Sequence, residues 1–388
     1  MNSFLTLRLP LLAAGTLALA LVAGCANKSE PVYTPKELQG FDESSTLDSQ
    51  WKYGVGDGLG RARYPIAPAR DGNMVFAADA EGYVVALNAQ NGSRQWEVEL
   101  DTPISSALTA IAGNVYVGSR NGEVLALSQQ DGDVVWRSRV PSEVLAAPQA
   151  NQELLVVQSV DGTVTALDRA NGTERWVYSS SQPALTLRGT GTPQVIPPVS
   201  FVGLANGRLV TLDNRNGQPL WEMQIAVPQG RSEIDRLVDL AGQPVLTQDG
   251  RLFVSSYNGR LVALEATRGE IMWEYDHSSR HTPVLVGNFL FTVSDDSHVI
   301  ALDAQTGREL WRNDDLEGRW LTSPAFVDGR LALGDYEGYL HLIGASEGDI
   351  VGRTRIHKSG ISVRPVTDGK TIHVLSNNGR LETLEVNP

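Results

Sequence analysis

The chain has 388 residues, 41% of them hydrophobic, a formal net charge of -13 at pH 7 and one cysteine. That acidic balance, with lysines and arginines scattered singly, argues against a nucleic-acid backbone as partner, because phosphate binding needs a basic surface. A lone cysteine rules out an internal disulfide and any Cys-x-x-Cys-His haem site.

Met1 to Leu7 leads through Arg8 into the apolar run Leu9 to Ala23, broken only by Pro10, Gly15 and Thr16. This is the size of a secretory h-region, whereas a spanning helix needs about 20 cleanly apolar residues. The run ends in Leu21-Val22-Ala23-Gly24-Cys25, which resembles the lipobox of bacterial lipoproteins. The resemblance implies a signal peptide over residues 1–24, removed after lipidation of the Cys25 thiol. It also implies an acyl anchor, each buried methylene contributing about 0.8 kcal/mol. Ala26 follows the cysteine, where an aspartate is the usual inner-membrane retention signal of enteric bacteria, so the periplasmic face of the outer membrane is expected. The polar stretch up to Ser45, with Pro31 and Pro35, reads as an extended tether. Residues 25–45 are thus expected to be a lipidated tether and residues 46–388 the folded domain.

From there the chain repeats one unit. An apolar pair, a turn glycine and a tryptophan four residues after it recur at Gly92 and Trp96, Gly132 and Trp136, Gly172 and Trp176, Gly217 and Trp221, Gly269 and Trp273, and Gly307 and Trp311. Upstream, Gly82, Gly122, Gly162, Gly207, Gly259, Gly338 and Gly379 each stand five residues before an apolar residue that ends a strand, with Ser297 in the remaining slot, which makes eight repeats. Between these markers lie short apolar runs such as Met74-Val75-Phe76-Ala77, separated by Asp-Gly and Asn-Gly turns, a strong hairpin signal. Each repeat therefore holds four antiparallel strands, A to D, with the tryptophan on D. Eight such units describe an all-β, eight-bladed β-propeller of four-stranded antiparallel blades.

The ends fit a closed ring. The eighth repeat stops before any strand D, and the segment Leu47 to Tyr53, carrying Trp51, is an orphan strand. An N-terminal strand completing the last blade leaves no open edge there. The glycine-rich Gly54-Val55-Gly56-Asp57-Gly58-Leu59-Gly60 precedes no helix, matches no nucleotide-binding pattern, and reads as a flexible loop after the closing strand. The seventh repeat has Gly352 in place of the tryptophan, a gap expected to be looser or filled by a neighbour such as Trp320.

The repeats differ most in the D-to-A connections. Trp136 to Pro148 spans 12 residues and Trp273 to Pro283 spans 10, but Trp176 to Pro193 takes 17 and Trp221 to Pro244 takes 23. Both long connections emerge on one face from consecutive blades and are expected to form one raised patch. The first holds Leu185, Leu187 and Arg188; the second holds Glu233, Ile234, Asp235, Arg236, Leu237 and Asp239. Apolar residues beside arginine are favoured at interface centres, while local packing onto the blade below is the plainer explanation.

The repeat frame also resembles the tryptophan-docking motif of quinoprotein dehydrogenase propellers, which stack a quinone on the axis near a pair of adjacent cysteines and a calcium ion. A periplasmic quinoprotein-like dehydrogenase, or another ligand-binding propeller, is therefore the alternative. No adjacent cysteine pair exists here, and His277 and His281, four apart, lie in strand and loop rather than on a helix. The placement of Trp96, Trp136, Trp176, Trp221, Trp273 and Trp311, one per repeat, suits blade-to-blade packing better than cofactor stacking. No catalytic, cofactor-binding or metal-binding residue is expected.

Lipobox, tether, propeller and the two long connections together resemble the BamB family of lipoproteins of the outer-membrane β-barrel assembly machinery. That resemblance covers essentially the whole chain. It implies that the periplasmic POTRA domains of BamA are contacted through a Leu-x-Leu-Arg loop, matched by Leu185, Leu187 and Arg188. A second loop reads Glu-Ile-Asp-Arg-Leu-x-Asp-x-Asp, matched by Glu233, Ile234, Asp235, Arg236, Leu237 and Asp239, and departs from the pattern at Ala241. The implied role is non-catalytic: a rigid disc that docks on BamA and offers strand edges or loops to unfolded barrel precursors.

Overall fold

In the first repeat, strands B (Met74–Ala78) and C (Tyr83–Asn88) are buried almost throughout, whereas strand D (Arg94–Glu99) buries little besides Trp96. Runs of valine, alanine and aromatic residues suit a strand covered on both faces, and alternation suits an outer strand half in solvent. The computed structural model describes residues 34–183, 185–187 and 191–388, which contain eight separate four-stranded sheets and no α-helix. Each sheet is an antiparallel meander with strand A innermost, and A strands of neighbouring blades touch around the axis, as in blades one and two or seven and eight. The signal segment, Cys25 and Arg188 lie outside the described residues. The core is shared between blades: Val156, Val164 and Trp176 of blade three pack with Val202 and Leu212 of blade four.

The ring closes as expected. Thr46–Gly54 pairs antiparallel with Arg380–Asn387, Thr46 opposite Asn387 and Gly54 opposite Arg380, and becomes strand D of blade eight.

The tryptophans and turn glycines form one device. Trp136 lies across the turn of the next blade, where a Cβ on Gly172 would come within 2.5 Å of the ring, and its Nε1 donates to the Arg169 carbonyl at 3.1 Å. Gly172 has φ of 72°, a conformation that also disfavours any side chain. Trp51 repeats the arrangement over Gly92 and donates to the Ala89 carbonyl at 3.0 Å; Trp96, Trp176, Trp221, Trp273 and Trp311 do the same over their own neighbours. Beneath most of these rings an aromatic from strand B packs at a tilt, as Phe76 does under Trp96 with centroids 5.9 Å apart, while Val156 takes that place in blade three.

Blade seven breaks this pattern for a topological reason. The next blade is closed by a separate N-terminal strand, so it has no C-to-D turn to receive a ring. Gly352 lies instead against the Ser45 carbonyl, 2.6 Å from where its Cβ would stand, and against Leu342, which replaces the alanine of the frame. Trp320 does not fill the gap: it is 64% exposed and leans on Tyr336.

Two other expectations change. The chain from residue 35 is no free tether: the Lys36 amide donates to the Glu317 carbonyl at 2.9 Å, Leu38 and Phe41 join the core of blades six and seven, and the Ser44 and Ser45 amides donate to the Val351 carbonyl. Two apolar residues in a polar stretch suffice to lay it down as a strap. The glycine-rich closing loop is pinned rather than flexible. Val55 and Leu59 are fully buried, their amides donate to the Gly379 and Asn377 carbonyls, and Gly56, Gly58 and Gly60 have φ of 42°, 73° and 68°. The glycines there allow close backbone approach, as where a Cβ on Gly58 would meet Asn377 at 2.5 Å.

Candidate partner-binding face

The two long connections run from strand D of blade three (Glu174–Ser179) to strand A of blade four (Gln194–Ile196), and from strand D of blade four (Pro219–Gln224) to strand A of blade five (Val245–Leu246). Their bases meet: a Cβ on Gly191, at the end of the first, would stand 2.5 Å from the carbonyl of Leu240, at the end of the second. On the first connection Leu185 is 44% exposed and Leu187 is partly buried.

The second connection is better ordered by its own chemistry. Ser232 and Asp235 form a reciprocal cap, the Ser232 amide donating to Asp235 Oδ2 and the Asp235 amide to Ser232 Oγ, both at 3.1 Å. The Arg236 amide donates to the Ser232 carbonyl at 3.2 Å and the Leu237 amide to the Ile234 carbonyl at 3.1 Å, closing a single helical turn. These bonds from Ser232 hold the Asp235 carboxyl below its ordinary range. The turn displays Glu233, Ile234, Asp235 and Arg236 outward, with Ile234 68% exposed, and Arg236 pairs with Glu233 at 3.6 Å. A groove of about 640 Å³ separates the turn from blade five and is lined by Val227, Asp235, Arg260 and Glu274 among others.

Asp239 departs from the expected contact set. Its side chain is fully buried, and neither carboxylate oxygen has a hydrogen-bond partner among the described residues. Desolvation pushes its pKa up to about 7. The backbone is the functional part here: the Tyr257 amide donates to the Asp239 carbonyl at 2.8 Å, and Asn258 Nδ2 donates to the Leu237 carbonyl at 2.9 Å. These bonds fasten the loop to blade five. Sequence pattern alone cannot tell an aspartate that faces a partner from one that faces the blade.

His277 and His281 each meet a hydroxyl, His277 Nε2 that of Thr292 at 2.9 Å and His281 Nδ1 that of Ser323 at 3.3 Å.

The family model for outer membrane protein assembly factor BamB matches residues 32–112, 80–313 and 295–387. The assembly factor BamB of Pseudomonas aeruginosa is 48% identical over 370 residues, covering 95% of this chain and 97% of that protein. The chain belongs to the BamB family. The crystal structure of BamB from Moraxella catarrhalis superposes with a TM-score of 0.80 at 25% identity, covering 87% of this chain and 99% of that one. A quinohemoprotein alcohol dehydrogenase from Comamonas testosteroni reaches a TM-score of 0.68 over 88% of this chain and 76% of its own, but at 13% identity that likeness is one of fold alone. In this chain the two connections stand out by length and exposure against its own repeated frame.

Proposed function

We propose that this chain is a non-catalytic scaffold of outer-membrane β-barrel assembly, held by a lipid on Cys25 at the periplasmic face of the outer membrane and docked on the POTRA domains of BamA. The docking surface comprises Leu185, Leu187 and Arg188 on one connection, with Glu233, Asp235 and Arg236 around Ile234 on the other. Asp239 acts beneath it by its backbone. The observation that carries this reading is the capped turn at Ser232–Asp235. Hydrogen bonds within the loop hold an isoleucine 68% exposed, which serves no packing purpose among the described residues. The outer strands supply a weaker second surface: Val135, Leu220 and Met272 on D strands are 50%, 55% and 53% exposed, and such edges suit β-augmentation by unfolded barrel precursors.

The test is recovery of BamA from solubilised membranes. Ile234→Asp combined with Leu185→Asp is expected to reduce co-purification about tenfold or more while leaving the melting temperature of the isolated protein unchanged, since both side chains are already in solvent. Undiminished recovery by the folded double variant removes this surface from consideration. In the same fractionation, Cys25→Ser is expected to move the protein from the membrane to the soluble periplasm.

A further inference from the structure

A cavity of about 530 Å³ lies on the propeller axis, lined by residues through which the D-to-A connections of all eight blades enter strand A, among them Gln149, Thr192, Gln243, Thr282, Ser323 and Arg364. Its volume is in the range of small-molecule sites. The wall is made almost entirely of neutral groups, and no aspartate, glutamate or lysine lines it. His281, also on the wall, has its pKa pushed down by burial to about 3 and so remains uncharged. Among the described residues Arg364 is therefore the one charged side chain in the lining.

Arg364 is also unpartnered. Among the described residues its guanidinium makes no hydrogen bond, ion pair or ring contact, in a protein where acidic residues outnumber basic ones by 45 to 32. The side chain is accessible to solvent, yet the ring encloses it closely enough that desolvation lowers its pKa, and no carboxylate offsets that. A guanidinium facing such a channel offers five N–H donors in a planar fork that matches a carboxylate in bidentate geometry. Thr282 Oγ1 already accepts from the Gln243 amide at 2.9 Å, which leaves its hydroxyl proton free to donate into the cavity. One cation with neutral donors around it balances a single carboxylate, whereas a phosphate dianion leaves net charge in an enclosed space.

We propose that the axial cavity is a carboxylate-binding site in which Arg364 holds the carboxylate. The carboxylate comes either from a free small organic acid or from the C-terminus of a polypeptide entering the channel. The cavity opens from the connections that carry the long loops, so a bound polypeptide end and a docked partner share one face.

The probes are butyrate, a short unstructured peptide with a free C-terminus, and the same peptide amidated, each titrated into the intact protein by calorimetry and by melting temperature. Butyrate, the free peptide or both are expected to bind and to raise the melting temperature, and the amidated peptide is not. Arg364→Gln is expected to weaken binding about tenfold or more, and Arg364→Lys to retain part of it. Binding of butyrate alone identifies a free acid as the source, and preference for the free peptide identifies a chain end. Equal affinity in Arg364→Gln, or no binding of either carboxylate at millimolar concentration, overturns the proposal. Should Arg364→Gln unfold, the comparison of free with amidated peptide on the unaltered protein decides it alone.

Discussion

Arg319 shows how a buried charge is made tolerable. Its side chain is 3% exposed and pairs with Asp335, fully buried, at 2.8 Å and with Glu337. The Arg319 Nη1 also donates to the Lys36 carbonyl at 3.1 Å, so the same group fastens the strap. Behind it, His341 Nδ1 accepts from Arg353 Nε at 3.1 Å, which leaves the proton on Nε2 to be donated to Asp335 at 3.0 Å. Arg319→Ala strands the Asp335 charge, and denaturant unfolding is expected to show a loss of about 3–5 kcal/mol. Asp239 is the opposite case, a buried carboxyl with no cation. Its folded pKa, raised to about 7, lies above an unfolded value of about 3.9, so between these the folded state holds a proton that the unfolded state has lost. Stability from this group is therefore present below about pH 4 and is lost as pH rises through 7. Asp239→Asn is expected to leave the melting temperature unchanged near pH 4 and to raise it increasingly up to pH 8; a gain that does not depend on pH contradicts this assignment.

At the scale of the element, the tryptophan on strand D and the glycine in the next blade's turn act as one unit. Trp136→Ala removes a large buried ring and its bond to the Arg169 carbonyl, and is expected to cost about 3–5 kcal/mol. Gly172→Ala forces a methyl group against the same ring in a left-handed conformation. Because both substitutions disrupt one contact, the double variant is expected to lose less than the sum of the singles, which a double-mutant cycle measures directly. The pairing was legible in the sequence as spacing, but which blade receives the ring was not. Blade seven makes the point: Gly352, Leu342 and Ala332 stand where blade one has Trp96, Ala86 and Phe76, register partners that trade volume across three strands. In the sequence that compensation is spread over twenty residues and looks like decay of the repeat.

For the whole molecule, closure depends on a strand from the other end of the chain. Removing residues 46–54 exposes the full edge of Arg380–Asn387 and takes Trp51 from the turn of blade one. Size-exclusion chromatography of that truncation is expected to show self-association, the usual fate of an open strand edge; a stable monomer with unchanged melting temperature contradicts the role of this strand in closure. The ring also explains why two loops far apart in sequence share a base, since every D-to-A connection leaves on one face and neighbouring blades are adjacent by construction.

Repeat number, the four strands per blade, the closing strand and the positions of the two long connections are all legible in the spacing of glycine, proline and tryptophan, because that spacing is a property of local turns and strand length. Four facts emerge only once the ring has formed: Asp239 faces inward while Ile234 faces out, residues 35–45 lie on blades six and seven, the closing glycines are pinned, and Arg364 stands on the axis without a partner among the described residues. Each of those is a relation between residues from different blades, set by which groups the ring brings within reach, and no local pattern encodes it.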